Sequence, residues 1–69
     1  MGLVTMIVNF KNSHHLEDAI HYIQTNQTRL RVSDLNDALD WAGKKPSHYR
    51  GKDSKIEALL DYLNNEYMD

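Results

Sequence analysis

Three stretches of the chain place apolar residues at helical spacing. Leu16, Ala19, Ile20 and Ile23 form the first stripe, which predicts a helix over 14–25. Asn12 or Ser13 can cap it, and the polar run Gln24-Thr25-Asn26-Gln27-Thr28 ends it. Leu35, Ala38, Leu39 and Ala42 form the second stripe and predict a helix over 34–42. Ser33 is its candidate cap, Gly43 can take the left-handed conformation that closes a helix, and Pro46 is a second stop. Ile56, Leu59, Leu60, Leu63 and Tyr67 form the third and predict a helix over 54–67. Ser54 and Glu57 have the spacing of a capping box at its start.

Two stretches read differently. Leu3-Val4-Thr5-Met6-Ile7-Val8-Asn9-Phe10 is a short, β-branched apolar run and predicts a strand over 3–10. Arg29-Leu30-Arg31-Val32 alternates charged and apolar residues and is a candidate short strand over 29–32. The expected fold is therefore mainly α with a short N-terminal β-strand. It is a three-helix domain containing a helix–extended loop–helix unit. A lone strand leaves backbone groups unpaired, so the first strand should pair within the chain or across the axis of a homodimer. The three helical stripes should face one another, with Trp41 as a lid on their core. The other role for Trp41 is a stacking platform beside the loop that follows it.

Length and composition narrow the class. The chain has 69 residues, enough for one domain. A domain of this size buries only about 60% of its unfolded surface, a deficit that dimerisation would relieve. It contains no cysteine, which excludes disulfides, thiolate metal sites and a thiol nucleophile. Secreted domains this small usually need staples, so a cytoplasmic setting is expected. No stretch is long and apolar enough to span a membrane. The first residues lack the basic start of a signal peptide, and Met6 stands where a myristoylation signal needs Ser or Thr.

Charge singles out one segment. The net charge is −2, yet the loop over 43–53 contains Lys44, Lys45, Arg50 and Lys52, with His48 and Tyr49 among them and Lys55 just beyond. Asp53 offsets one of these charges. The loop leads into a helix N-terminus, whose free N–H groups favour an anion. A phosphate would be attracted on both counts, while a plain solvated loop would also be polar.

These residues resemble a family. Val32-Ser33-Asp34-Leu35, followed by Leu39, Gly43, Gly51, Ile56 and Leu60, is similar to the SAP domain and related helix–extended loop–helix modules. That pattern has two leucines four apart, a glycine ending the first helix, a second glycine, and an apolar residue five positions later. The resemblance covers about half the chain, over 32–63. It implies DNA binding, often to AT-rich duplex, through the loop and the helix N-termini. Three positions depart from the pattern. Lys44 replaces a hydrophobic residue, Asp53 stands where a lysine is common, and Leu59 where an arginine is common. Lys52, Lys55 and Arg50 are close enough in sequence to substitute for those cations electrostatically.

Other constellations carry less. His14, Asp18 and His21 share a helical face, but they match no H-E-x-x-H motif and no further ligand is evident. Gly51-Lys52-Asp53-Ser54 resembles the end of a P-loop, yet Pro46 and Asp53 break the pattern. No nucleophile elbow accompanies the serines and histidines. A compact helix-turn-helix over 33–55 would be broken by Pro46 and Gly51. Neither enzyme activity nor a cofactor is expected.

Two functional expectations remain. The first is a DNA-binding module in which Lys44, Lys45, Arg50, Lys52 and Lys55 contact phosphates and His48 or Tyr49 touches sugar or base edges. Arg29 and Arg31 would extend that surface if they lie beside the loop. The second is a protein-interaction module, such as a small phage-type regulator. It would bind a larger protein partner through Asp34, Asp37, Asp40, Glu57, Asp61, Glu66 and Asp69.

Overall fold

The computed structural model describes residues 2–68 and contains four α-helices and one 3₁₀ turn. Helix α1 spans Leu3–Asn12, α2 Leu16–Thr25, α3 Val32–Trp41 and α4 Gly51–Met68, with the 3₁₀ turn at Pro46–His48. The expected N-terminal strand over 3–10 is a helix, and no strand occurs among the described residues. The reason is visible in the burial pattern. Leu3, Met6, Ile7 and Phe10 recur at i, i+3, i+4 and i+7; Leu3 and Ile7 are buried, and Met6 and Phe10 pack partly against the core. β-branched residues lower helix propensity by only tenths of a kcal/mol each. Burying a large aliphatic side chain contributes about 1.5–3 kcal/mol, so tertiary burial wins. The helix satisfies its own backbone groups, which removes the basis for a dimer paired through this segment.

The expected strand over 29–32 is also absent. Arg29 and Leu30 donate their N–H groups to the Asn26 carbonyl in a turn, Leu30 drops into the core, and Val32 begins α3. The other boundaries move by a few residues. Ser33 lies inside α3 and makes no capping bond; Arg31 occupies the extended cap position. α4 starts at Gly51, so Ser54 and Glu57 sit within the helix rather than at its end. Tyr67, expected on the apolar stripe, is exposed, while Ala58 and Lys55 are buried.

Two helices end in the same way. After α3, Gly43 N–H donates to Asp40 O and Lys44 N–H to Leu39 O, the paired bonds of a Schellman motif. Gly43 has φ +82°, as that motif requires. After α1, His14 N–H donates to Lys11 O and His15 N–H to Phe10 O. Here the left-handed position is held by His14, at φ 62°, where a Cβ is unfavourable.

The helices close a ring: α1 packs on α2 and α3, and α4 packs on the same two. Their directions follow from side-chain contacts. Lys52, in the first turn of α4, reaches the Thr28 carbonyl just ahead of α3, whereas Trp41 at the end of α3 meets Tyr62 in the later part of α4. α3 and α4 therefore run parallel. Lys11 near the end of α1 meets Trp41 and Glu66, and Gly2 and Leu3 share a surface cavity with Arg29 and Asp34. α1 thus runs the same way, and α2 alone runs back. Residues 42–50 must return along the whole of α3, about 15 Å for a ten-residue helix. That requirement makes the loop extended. Trp41 is partly buried against the core, with its ring edge-on to Tyr62 at 5.7 Å, so it acts as a lid. Among the described residues no helix is long and apolar enough to cross a membrane.

The two Schellman motifs generate a paired prediction. Gly43→Ala should destabilise by about 1–2 kcal/mol through backbone strain alone, because nothing lies within 4 Å of the added Cβ. His14→Gly should relieve similar strain and stabilise by up to about 1 kcal/mol, part of the gain being offset by unfolded-state entropy. Urea denaturation followed by Trp41 fluorescence measures both.

Candidate nucleic-acid interface

The parallel arrangement gathers the N-termini of α1, α3 and α4 at one end of the molecule. Each helix N-terminus carries a partial positive charge of about half an elementary unit from its aligned peptide dipoles. Arg29, Arg31 and Arg50 are exposed at this end, and half-buried Lys52 joins them. The Lys52 ammonium donates to Thr28 O at 3.2 Å, which ties the start of α4 to the α2–α3 connection carrying the two arginines. An ammonium has three donors, so Lys52 has bonding capacity beyond its Thr28 contact. Asp34 and Asp53, in the first turns of α3 and α4, offset part of this field.

The seven residues expected to form the interface are therefore not one patch. Arg50 and Lys52 lie at the basic end with Arg29 and Arg31. Lys45 and His48 are exposed along the returning loop. Lys44 is half-buried and lies farther along α4, in a shallow surface cavity with Tyr49, Glu57 and Asp61. The two carboxylates there oppose an anion. Tyr49 packs partly against the core, so its ring is committed to structure.

Lys55 has a different role from its neighbours. It is buried, and its ammonium donates to Pro46 O at 2.9 Å. The same carbonyl accepts from Tyr49 N–H, so the 3₁₀ turn and α4 share one acceptor. Lys55 clamps the loop onto α4 and contributes charge without a surface contact. The signal was present in the sequence: Lys55, Ala58, Leu59, Tyr62 and Leu63 recur at helical spacing. A lysine in that series reads as solvent-facing unless a buried carbonyl partner is known.

The opposite end carries a second polar cluster. Lys11 pairs with Glu66 at 3.5 Å and lies 5.9 Å from the Trp41 ring centroid. Partial burial, and secondarily the Glu66 carboxylate, raise the Tyr62 phenol above its ordinary value; Lys11 opposes the shift. No three His, Asp or Glu side chains gather into a group that could hold a metal among the described residues. His14, Asp18 and His21 are each exposed. No protein-family model, curated protein or solved structure matches this chain.

Two outcomes follow from these contacts. Lys55→Met removes a charged, part-buried hydrogen bond of about 1.5–3 kcal/mol, but it also removes the cost of holding an ammonium partly out of water and keeps an unbranched apolar stem in the same place. Pro46 O keeps its bond from Tyr49, so global stability should change by no more than about 1 kcal/mol. The His48 and Tyr49 amides should nonetheless exchange faster with deuterium, because the loop has lost its clamp.

Tyr62 supplies the second outcome. Its charged form is the phenolate, which burial and Glu66 disfavour in the folded state. Its contribution to stability is complete below the unfolded value of about 10 and is lost as pH rises through the higher folded value. The tyrosinate absorbance step missing from Tyr62→Phe should therefore lie above pH 10 in the folded protein. It should fall back to about 10 in denaturant.

Proposed function

We propose that this protein is a small nucleic-acid-binding module that engages phosphates through its basic end. The observation that carries the reading is the meeting of three helix N-termini with Arg29, Arg31, Arg50 and Lys52, held by the Lys52–Thr28 hydrogen bond. Fixed amide dipoles and arginine forks are both suited to phosphate oxygens. The parallel α3 and α4 joined by an extended loop support a SAP-like reading of residues 32–63. The overall charge of −2 disfavours binding through any other face. Lys45 and His48 extend the surface along the loop, and Lys55 holds the loop in place from beneath.

Affinity in this reading comes mostly from phosphate contacts and is steeply salt-dependent. A second reading rests on the exposed carboxylates Asp37, Asp40, Glu57 and Asp61, which would meet a basic protein partner.

Fluorescence anisotropy with labelled oligonucleotides at about 50 and about 200 mM salt separates the two. Arg29→Ala, Arg31→Ala, Lys45→Ala and Arg50→Ala should each weaken binding and reduce the salt slope by close to one phosphate contact. Lys55→Met should leave that slope nearly unchanged. Binding that survives all four alanine changes would remove the basic end as the interface. The carboxylate faces would then be tested by charge reversal.

A further inference from the structure

A surface cavity of about 270 Å³ opens beside the basic end, where α1 begins and α2 turns into α3. Leu3, Met6 and Leu30 give it apolar walls, and Tyr22, Arg29 and Asp34 supply the polar ones. Tyr22 is one of few large hydrophobic residues left exposed, at 42%. Arg29 and Asp34 line the same cavity, yet they are not among the ion pairs formed within 4 Å by the described residues. A cation and a carboxylate that share a concave wall without pairing can each bond to a ligand.

The chemistry of that wall narrows the occupant. The volume lies just below the roughly 300–1,000 Å³ that takes a drug-sized molecule, so it suits one planar ring system. Tyr22 offers a face on which a base can stack, and the aliphatic walls accept its other surface. Arg29 adjoins Thr28, whose carbonyl holds Lys52, so the cavity is continuous with the phosphate-binding end. Asp34 is acceptor-only and favours two adjacent donors. Guanine presents such a pair on its pairing edge, the ring N1–H and the exocyclic amino group. Adenine and cytosine place a ring-nitrogen acceptor beside their single amino donor. Thymine and uracil flank their one N–H with two carbonyls. An acceptor facing a carboxylate is repelled, so four of the five common bases fit the wall poorly.

We infer that this cavity binds an unpaired guanine of a single-stranded nucleic acid. Asp34 takes the pairing edge, Tyr22 stacks on the ring, and Arg29 holds the adjoining phosphate. The inference rests on the proposed reading of the basic end and specifies its ligand as single-stranded. A guanine in a duplex hides this edge in its base pair, so only an unpaired one can be read in this way.

The test compares three labelled probes at low salt: an oligothymidylate, the same strand with one central guanine, and the corresponding duplex. The guanine strand should bind about tenfold more tightly than plain oligothymidylate, the scale of one good bidentate contact. Asp34→Asn removes a negative charge and should tighten both strands, so the readout is their ratio, which should fall to about one. Tyr22→Ala should weaken the guanine strand by about tenfold or more. Trp41 fluorescence confirms that each variant is folded. Equal binding of the two single strands, or a ratio unchanged in Asp34→Asn, would overturn the guanine site while leaving the basic end standing. A duplex bound as tightly as the guanine strand would also overturn it. If no probe binds, the basic-end reading fails as well.

Discussion

Everything in this fold depends on burying one set of aliphatic side chains in a chain too short to have a second. Ile7, Ile23, Leu35, Leu39, Leu59 and Leu63 are fully enclosed, and all four α-helices contribute at least one of them. A small domain without cysteine has little else to offset the loss of chain entropy on folding. α1 is therefore integral to the core. Removing Ile7 would open the space between α2 and α3, and leaving residues 3–10 as an isolated strand would expose the partners that Ile7 covers.

The same burial sets the directions of the helices, and those directions set the electrostatics. Because α3 and α4 run parallel, their connection must travel back along the bundle. That path draws the loop across α4, where Lys55 meets Pro46 and the 3₁₀ turn is held. It also brings three N-termini to one end and three C-termini to the other. The first end collects arginines. The second collects the Lys11, Trp41, Tyr62 and Glu66 cluster, which locks α1, α3 and α4 together where their dipoles are negative. The charge pattern thus follows from a packing solution.

The functional reading shifts with it. In the sequence, the basic residues of 44–55 form one cluster. In the fold they divide by role: Arg50 and Lys52 face the basic end, Lys45 and His48 ride on the loop, and Lys44 sits among carboxylates. Tyr49 packs inward and Lys55 acts as a buried clamp. Arg29 and Arg31, more distant in sequence, lie at the same end as Arg50 and Lys52. Sequence proximity places charges on one segment, but only backbone direction decides whether they point the same way.

Three helices and the extended loop were legible from the chain alone, because the stripes at 16–23, 35–42 and 56–67 repeat with the period of a helix, although Tyr67 at the end of the last is exposed, and Gly43 supplies the closing conformation. α1 was also present as a period, in Leu3, Met6, Ile7 and Phe10, but its β-branched residues suggested a strand. Local preference there is worth tenths of a kcal/mol per residue, while burial of Ile7 is worth several times more. Such a contest is decided by neighbours that a local reading does not include. The identity of the basic end, the burial of Lys55 and the cavity lined by Tyr22, Arg29 and Asp34 were decided by tertiary structure alone. Each brings together groups from separate helices, and nothing in the order of residues states which helix ends will meet.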